Sequence, residues 1–406
     1  MGVRTIDSLV IEGTTIGVRI DINSPMDASG SIADDARFAA HTETLHELID
    51  GGGRVVILAH QGRPAGQGFT TLEEHATHLG TLLDHEVTYV DSTFSSSARD
   101  AIEQLDDGGV LCLENTRFYS EEYMELDPSI AARTHLVDRL SEVLDVYVND
   151  AFACSHRSQA TIVGFPQLLP SFAGRVMERE MEILGNIEQT PTPRVAMLAG
   201  AKVSDSLRII DSLLSGDIVD HVLVGGLVAN TMFVAGTSNP GPDTVADVDE
   251  RGYTDHLEQA RELLTRFDDR IELPVDVAVE RDGRRVEVST DQFPLNAGEV
   301  PRDVGHQTIE SWGSIIDDTG TIFVNGPVGR FEDERFGEGT HRLFSKVGYA
   351  EMSIAGGGDT AAATRYFGLD GFDHVSTGGG AALAMLSGEV LPGINALEAC
   401  TIEQPP

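Results

Sequence analysis

Short apolar segments rich in valine and isoleucine alternate with amphipathic stretches along the first half of the chain. The apolar segments are 15–22, 54–59, 109–113 and 145–148, and the helical patterns between them include 34–49 and 71–83. Strands that alternate with helices form a parallel sheet covered by helices, and ligands bind at the carboxyl ends of its strands. The pattern therefore predicts an α/β fold, and the residues that follow each strand become the candidates for function.

Each of these four predicted strands is followed by an arginine. Arg37 opens the helical pattern after the first strand, and Arg63, Arg117 and Arg157 follow the other three. Any one of them is most simply explained as a surface ion pair. Four at one sheet edge instead predict a pocket for a small, strongly anionic molecule, because the guanidinium fork binds carboxylate and phosphate oxygens.

The predicted strands of the second half end in glycine instead. They are 195–199, 221–224, 321–324, 352–355 and 374–376. Bare backbone lets a large ligand lie against the strand ends, which favours a nucleotide site. We predict two doubly wound, Rossmann-like parallel-sheet domains, 1–170 and 191–385, joined by a proline-containing link at 165–170 and a hinge helix within 171–190. Residues 386–406 are expected to return to the first domain.

The stretch SIAGGGDT at 353–360 joins a predicted strand to an Ala-rich helix through three glycines. Such a helix N-terminus binds phosphate, although a tight turn that needs positive φ would use the same glycines. Asp359 suits a phosphate site only if a cation such as Mg²⁺ joins it. Lys202, one of two lysines in the chain, ends another strand of this half and is either a phosphate contact or an ordinary surface lysine.

The composition describes the habitat of the protein more than its activity. The formal net charge is −38, and acidic residues are spread along all 406 positions. This charge disfavours nucleic acid and anionic membranes as partners, and it is expected of a protein that works in molar salt. Three widely spaced cysteines and the lack of a signal-peptide pattern predict a cytoplasmic protein without disulfides or a zinc site.

These motifs together resemble the phosphoglycerate kinase family over the whole chain. The first half contains DIN at 21–23, HQGRP at 60–64, ENTRF at 114–118 and AFACSHRSQATIVGF at 151–165. The second half contains GAKVSDS at 200–206, PVDVAVE at 274–280, NGPVGRFE at 325–332, GGGDTAA at 356–362 and STGGGAAL at 376–383. With the acidic, lysine-poor composition, the resemblance indicates an archaeal, halophilic member.

The resemblance implies reversible phosphoryl transfer from ATP to the carboxylate of 3-phosphoglycerate, with ADP and 1,3-bisphosphoglycerate as products and Mg²⁺ as cofactor. The implied substrate-binding residues are Asp21, Ile22, Asn23, Arg37, His60, Gln61, Gly62, Arg63, Arg117 and Arg157. The implied nucleotide-binding residues are Gly200, Lys202, Asn325, Glu332 (on the ribose), Gly357, Gly358, Asp359 (also on Mg²⁺) and Thr360. The implied catalytic residues are Arg37, Lys202, Gly357 and Gly380. The family also implies a monomer whose domains close on their ligands.

Two residues depart from the family pattern, and one segment lies outside it. Ser206 stands where the family usually has a second lysine, and Arg208 is a candidate replacement. Tyr119 stands where the family often has a histidine, and the segment 235–253 is expected to be a surface loop.

Two other classes of function are considered. A non-catalytic, two-domain binder of an anionic metabolite would explain the arginines but neither Lys202 nor GGGDT. A dehydrogenase would use the loose G-x-G-x-x-A match in GGGDTA, which follows a late strand and lacks the acidic strand end expected beyond it.

Overall fold

The computed structural model describes residues 2–27, 30–66, 68–236 and 239–405 of the 406-residue chain. The chain divides into two compact units, one made of Met1–Gly185 with Glu389–Pro406 and the other of Asn186–Gly388. Within the described ranges, no helix combines the length and apolarity needed to span a bilayer. The two units are described in turn.

A six-stranded parallel sheet forms the centre of the first unit in the described part of the chain. Its strands are β1 (Thr15–Arg19), β2 (Arg54–Leu58), β3 (Val87–Val90), β4 (Val110–Leu113), β5 (Val146–Asn149) and β6 (Ser171–Ala173). Their order across the sheet is β3-β4-β2-β1-β5-β6. The four strands with an arginine after their carboxyl ends, β4, β2, β1 and β5, are therefore direct neighbours.

Helices cover both faces of this sheet. They are α1 (Ala36–Ala40), α2 (Thr42–Asp50), α3 (Glu73–Leu83), α4 (Ser96–Glu103), α5 (Pro128–Ala131), α6 (His135–Ser141), α7 (Ala160–Val163) and α8 (Arg175–Leu184). Alternate residues of β2 pack into different cores, Val55 and Ile57 on one face and Val56 and Leu58 on the other. Successive side chains of a strand point to opposite faces, so a strand buried on both faces reads as a continuous apolar run.

A second six-stranded parallel sheet forms the centre of the other unit within the described ranges. Three strands that belong to a separate small sheet interrupt its sequence. The strands in chain order are β7 (Arg194–Leu198), β8 (His221–Val224), β9 (Ile271–Glu272), β10 (Asp276–Arg281), β11 (Arg284–Ser289), β12 (Asp303–Val304), β13 (Thr321–Asn325), β14 (Met352–Gly356) and β15 (His374–Val375). The large sheet has the order β15-β14-β13-β7-β8-β9.

The helices of the second unit follow the same alternation. They are α9 (Val203–Ser215), α10 (Gly226–Ala235), α11 (Pro242–Glu250), α12 (Leu257–Arg266), α13 (His306–Asp317), α14 (Glu338–Val347), α15 (Gly358–Phe367) and α16 (Gly379–Leu386). The last helix, α17 (Pro392–Ala399), belongs to the first unit and packs there on α7. These parallel sheets with helices confirm the predicted fold class.

Two parts of the second unit differ from the expectation. The segment 235–253 is not only a surface loop, because α11 lies within it and buries Thr244 and Val248. The antiparallel sheet β11-β10-β12 was not predicted. The Asp-Gly pair at 282–283 is a sequence signal for a two-residue hairpin turn. It forms that turn between β10 and β11, with φ of 52° at Asp282 and 74° at Gly283.

The predicted link at 165–170 also differs. Phe165 is fully buried in the core of the first unit, stacked on Tyr147 with ring centroids 5.0 Å apart. The chain changes units later, after α8, so the proline at position 166 did not mark the boundary.

Candidate active site

His60 lies at the centre of a positively charged cluster at the strand ends of the first unit. It follows β2, and its side chain is buried. Burial, together with the charges of Arg19, Arg117, Arg157 and Arg37, lowers the pKa of His60 well below its usual value of 6.5. The structure therefore brings three of the four predicted arginines to one place, together with one that was not predicted. His60 is neutral there at pH 7.

Asp21 holds Arg37 at this cluster. The Arg37 guanidinium is partly exposed and donates to the carboxylate of Asp21, which is itself buried. The backbone N–H of Asp21 donates to His41 Nε2 at 3.0 Å, and His41 Nδ1 is 2.6 Å from Asp150 Oδ2. The buried His41–Asp150 pair thus fixes the loop after β1, and the Asp21 carboxylate accepts from both the Asn23 N–H and Arg37.

Asn23 and Gln61 join the loops that follow β1 and β2. Asn23 Oδ1 accepts the Gly62 N–H at 2.8 Å. The Gln61 side chain pairs with both the N–H and the carbonyl of Ser24, at 3.0 and 2.9 Å. Gly62 has φ of 69°, and a Cβ there would lie 2.6 Å from the Phe69 Cα, so only glycine fits this crossing. Among the predicted residues, these three build the rim of the cluster.

Arg117 is the most deeply buried of the four predicted arginines. It is only 4% exposed, and Nη1 donates to the Gly62 carbonyl at 2.7 Å. Its Nε is buried and has no hydrogen-bond partner among the described residues. Burial, and then the charge of Arg157, lower the pKa of Arg117 from 12.5 to about 10. A buried guanidinium with an unused N–H is a site that an anionic ligand would complete.

The remaining predicted residues of this unit differ in their surroundings. Arg63 is exposed, and Arg157 is half-buried with its Nε 3.2 Å from His156 Nε2. Ile22 is fully buried in the core, so it offers a ligand only its backbone. Tyr119 packs its ring on Phe94, with centroids 4.7 Å apart.

Arg19 was not among the predicted site residues. It is the last residue of β1, is fully buried, and donates from Nη2 to His60 Nδ1 at 2.8 Å. The signal was present in TIGVRIDIN, where an arginine interrupts a run that is otherwise buried. A charged residue is almost never fully buried without a partner, so a lone arginine inside a parallel strand indicates a specific contact.

A cavity of about 510 Å³ lies at the strand ends of the second unit. Among the predicted nucleotide residues, Gly200, Glu332 and Asp359 line it. Three arginines also line it, which is notable in so acidic a chain: Arg251, Arg302 and Arg330. The volume lies within the range of small-molecule sites, and the lining combines apolar walls with a few charged groups.

Glycines let the loops beneath this cavity touch. A Cβ on Gly226, which has φ of 58°, would lie 2.6 Å from Gly200 N, and one on Gly326 would lie 2.3 Å from the Ala199 carbonyl oxygen. Gly357 has φ of 88° at the start of α15, where a Cβ would lie 3.0 Å from Asn325 Oδ1. A side chain at these positions would clash with the neighbouring loop, so the turns themselves require glycine. This requirement is compatible with a ligand that binds above the same loops.

Other residues predicted for nucleotide binding or catalysis in this unit do not line the cavity: Lys202, Asn325, Gly357, Gly358, Thr360 and Gly380. Lys202 is exposed at the N-terminus of α9, next to Ala201 in the wall. The Thr360 hydroxyl is buried; it accepts the Gly326 N–H at 2.7 Å and donates to the Gly356 carbonyl at 2.6 Å. That hydroxyl joins β13 to β14, and its bonds leave only the backbone of Thr360 for a phosphate.

Asp303 also lines this cavity and was not among the predicted site residues. Its buried carboxylate accepts from Arg285 Nη1 at 2.7 Å and from the Gly339 N–H at 3.0 Å. Burial raises the pKa of Asp303 to about 6, against the lowering effect of these donors. It is the first residue of the two-residue strand β12 in the unpredicted small sheet, so no strand pattern indicated it.

Comparison with known proteins identifies the family. Residues 6–389 match the family model described as phosphoglycerate kinase. A protein named phosphoglycerate kinase from Natronomonas pharaonis is 53% identical over 397 residues, covering 97% of this chain and 99% of the relative. One from Halobacterium salinarum is 51% identical over 397 residues, covering 98% and 100%. This chain belongs to the phosphoglycerate kinase family.

Solved structures agree with this assignment. The crystal structure of phosphoglycerate kinase from Pyrococcus horikoshii OT3 is 39% identical and has a TM-score of 0.92, covering 97% of this chain and 98% of that one. The structure from Coxiella burnetii is 31% identical with a TM-score of 0.79 and the same coverage. Membership of the phosphoglycerate kinase family makes the chain an enzyme, a kinase of glycolysis that acts on small molecules including a nucleotide. It excludes both the non-catalytic binder and the dehydrogenase.

The departure at Ser206 has a structural context. Ser206 is buried on α9, one turn after Lys202, at the position where a second lysine was expected. Arg208 is exposed on the same helix and lies 3.9 Å from the carboxylate of Asp205. Two residues along a helix are about 200° apart around its axis, so Arg208 is poorly placed to replace a side chain at position 206.

Asp359 has the position and chemistry that a magnesium ligand requires. It is exposed in the first turn of α15 and lines the cavity. Magnesium in phosphoryl-transfer sites is held by one or two carboxylates together with substrate phosphates and water, so one accessible carboxylate suffices. In the first unit, by contrast, Asp21, His60 and Cys154 place ligand atoms within 4.8 Å of one another. The arginines around them and the pairing of Asp21 with Arg37 favour an anion over a cation there.

Proposed function

We propose that the arginine cluster of the first unit binds 3-phosphoglycerate and that the cavity of the second unit binds ATP or ADP. The observation that carries the first assignment is Arg117, a buried guanidinium with an unused N–H beside Arg157 and the neutral His60. A phosphate or carboxylate would supply the missing acceptors. Family membership supports the reaction, which is ATP-dependent phosphoryl transfer to 3-phosphoglycerate.

The acceptor needs little activation. A carboxylate has a pKa near 4 and is already ionised at pH 7, so no general base is required. Catalysis then consists of positioning the two ligands and stabilising the charge on the transferring phosphoryl group. Arg37, held by Asp21, is the proposed contact to that group from the first unit. Lys202 is the proposed contact from the second unit.

The second unit would hold the nucleotide through its cavity wall. Glu332 is the proposed partner of the ribose hydroxyls, and the backbone N–H groups at Gly357, Gly358 and Thr360 are the proposed phosphate contacts, since they begin α15. Gly380 begins α16 and is proposed to act in the same way. Asp359 would hold Mg²⁺, which would neutralise charge on the nucleotide phosphates when bound.

Several broader properties belong to the same proposal. The net charge of −38 supports function in molar salt, where self-repulsion is screened. Three free cysteines support a reducing cytoplasm, and the family supports a monomer. We also propose that ligand binding draws the two units together around α8, and small-angle scattering that showed no compaction with both ligands would oppose this.

A coupled assay tests the proposal. The purified chain is supplied with ATP, Mg²⁺ and 3-phosphoglycerate in molar KCl, and formation of 1,3-bisphosphoglycerate is followed through NADH oxidation by a downstream dehydrogenase. Turnover that requires all three components is expected. Circular dichroism in the same buffer provides the control for folding. A folded chain without turnover would refute the proposed function.

A further inference from the structure

Arg19 connects the interior of the first unit to His60. Its guanidinium makes three hydrogen bonds among the described residues: Nε donates to Thr161 Oγ1 at 3.0 Å, Nη1 donates to the Ile20 carbonyl, and Nη2 meets His60 Nδ1 at 2.8 Å. Every nitrogen of the guanidinium is therefore engaged. Arg19 is fully buried, so the position of its fork is set by the fold and not by solvent.

The far end of Arg19 is anchored to a buried carboxylate. The Thr161 hydroxyl donates to Glu122 Oε2 at 2.8 Å, and the Thr161 N–H donates to Glu122 Oε1 at 2.7 Å. Glu122 is itself fully buried. A series of hydrogen bonds thus links Glu122 through the Thr161 hydroxyl and the Arg19 guanidinium to His60. The guanidinium can only donate in this series.

The chemistry of arginine decides the proton position on His60. A guanidinium has five N–H donors, no acceptor, and remains protonated in proteins. The contact at Nδ1 can therefore be a hydrogen bond only if His60 Nδ1 is an unprotonated lone pair. The neutral imidazole then carries its proton on Nε2. The structure gives the imidazole a single hydrogen bond within the described ranges, the one at Nδ1, so Nε2–H is available to a ligand.

We propose that Arg19 is a positioning residue that holds His60 as the neutral Nε2–H tautomer, so that the imidazole presents an N–H donor to the anionic substrate. This inference rests on the proposed binding of 3-phosphoglycerate to the first unit. With the opposite tautomer, a lone pair would face the substrate oxygens and repel them. An unfixed imidazole would also have to select one tautomer each time the substrate bound.

Burial and most of the charged groups around His60 favour its neutral form. Arg117 and Arg157 approach from the loops after β4 and β5, and Arg37 from α1. Two groups that are not positively charged also lie near its ring, the Asp21 carboxylate and the Cys154 thiol. The Asp21 carboxylate, the only one of these that would favour an imidazolium, already accepts from Arg37. His60 should therefore donate one hydrogen bond to the substrate without a change in protonation across the physiological pH range.

Nitrogen NMR of the wild-type enzyme tests the tautomer directly. The protein is labelled with ¹⁵N-histidine, His60 is assigned by comparison with His60→Gln, and long-range ¹H–¹⁵N spectra are recorded from about pH 8 to about pH 6, across the usual histidine range. We expect the shift of an unprotonated nitrogen at Nδ1 and of a protonated one at Nε2, both independent of pH. A protonated Nδ1, or a titration with an ordinary histidine pKa, would overturn the inference.

The variant Arg19→Met tests whether the arginine acts through His60. Methionine fills similar space without a donor or charge, and we expect His60 to show both tautomers and to titrate in the same pH range. The KM for 3-phosphoglycerate should rise about tenfold or more and become pH-dependent, because a hydrogen bond to a charged group is lost or must be reorganised. The KM for ATP should change little.

Three controls separate positioning from stability. Arg99→Met removes an arginine of α4 that pairs with Glu142 at 3.0 Å outside the cluster, and it should leave both KM values unchanged. Arg19→Lys should restore part of the affinity. Arg19→Met in the His60→Gln background should add little to the KM of His60→Gln alone, whereas a full additional tenfold rise would refute action through His60. If Arg19→Met does not fold, the wild-type spectrum still decides the tautomer.

The inference and the proposed function fail differently. A folded wild-type chain without turnover would refute the proposed function. Normal turnover with Nδ1 protonated would refute only the role of Arg19.

Discussion

The variant Arg117→Met should separate stability from ligand binding. In the unliganded protein the charge of Arg117 is disfavoured, since burial and Arg157 lower its pKa from 12.5 to about 10. At about 1.4 kcal/mol per pKa unit, this shift corresponds to roughly 3 kcal/mol of destabilisation at pH 7, where the group is charged in both the folded and unfolded states. Methionine removes this cost because it fills much of the same space without a charge.

The substitution also has a cost of its own. The Gly62 carbonyl loses its 2.7 Å hydrogen bond from Arg117 Nη1, and a buried unpaired acceptor costs about 1–3 kcal/mol. The two terms nearly offset each other, so the free energy of unfolding of the unliganded variant should lie between that of the wild type and about 2 kcal/mol above it. Arginine at this position is thus kept for its ligand and not for stability.

Ligand-induced stabilisation is the second half of the prediction. At a 3-phosphoglycerate concentration of 100 times Kd, the wild type should gain about 2.7 kcal/mol of unfolding free energy. If the loss of Arg117 weakens binding about a hundredfold, the same concentration gives the variant only about 0.4 kcal/mol. The expected signature is a variant that is as stable as the wild type without ligand and is hardly stabilised by it.

Chemical unfolding in molar KCl measures both quantities. Each protein is unfolded with urea with and without 3-phosphoglycerate, and Arg139→Met, a surface arginine that is 44% exposed, serves as the matched control. The control should keep the full ligand effect. A fall of about 2 kcal/mol or more in the unliganded Arg117→Met protein, or an unchanged ligand effect, would refute the reasoning.

Four further predictions concern the rest of the site. Arg37→Ala should lower kcat by about 10³ or more and leave the KM for ATP unchanged, as measured in the coupled assay. Asp359→Asn should raise the Mg²⁺ concentration needed for half-maximal activity by about tenfold, because the metal loses a charged ligand. Since burial raises the folded-state pKa of Asp303 to about 6, the folded state holds its proton more tightly than the unfolded state. Urea unfolding should therefore show the stability of the wild type relative to Asp303→Asn rising as the pH falls from about 6 towards about 4. Thermal unfolding should show a Tm that rises as KCl is increased from about 0.1 M to about 2 M, because salt screens the net charge of −38.

Each of these has a contradicting outcome. Unchanged turnover would exclude Arg37 from transfer, and an unchanged Mg²⁺ requirement would exclude Asp359 as a ligand. A stability difference for Asp303→Asn that is flat or falls towards acid would contradict the direction of its pKa shift. A Tm independent of KCl would show that the acidic composition does not make the stability of the fold depend on salt.

The architecture was predictable because it depends on patterns that burial imposes. Strands buried on both faces, such as 55–58 of β2, must be continuously apolar, and each is followed by polar loop residues. The arginine cluster was predictable for the same reason, since parallel strands place their carboxyl ends at one edge. What the sequence lacked was the order β4-β2-β1-β5, which makes the four strand ends direct neighbours.

Other features depend on contacts between distant residues. Arg19 reaches Thr161 across 142 positions, and no local pattern encodes that pairing. Asp303 became part of the cavity wall only through a small antiparallel sheet that interrupts the regular alternation. Thr360 was predicted as a nucleotide contact from its motif alone, and that motif did not indicate that its hydroxyl joins two strand ends.

One titration experiment tests the central claim, that the anionic substrate and the nucleotide bind to different units. Calorimetry is performed with 3-phosphoglycerate and with Mg·ATP on Arg117→Met and on Ala362→Trp, whose indole would fill the cavity that Ala362 lines. We expect Arg117→Met to bind 3-phosphoglycerate much more weakly and ATP normally, and Ala362→Trp to bind ATP much more weakly and 3-phosphoglycerate normally. Loss of the opposite ligand in either variant, with the protein folded, would contradict the assignment of the two sites.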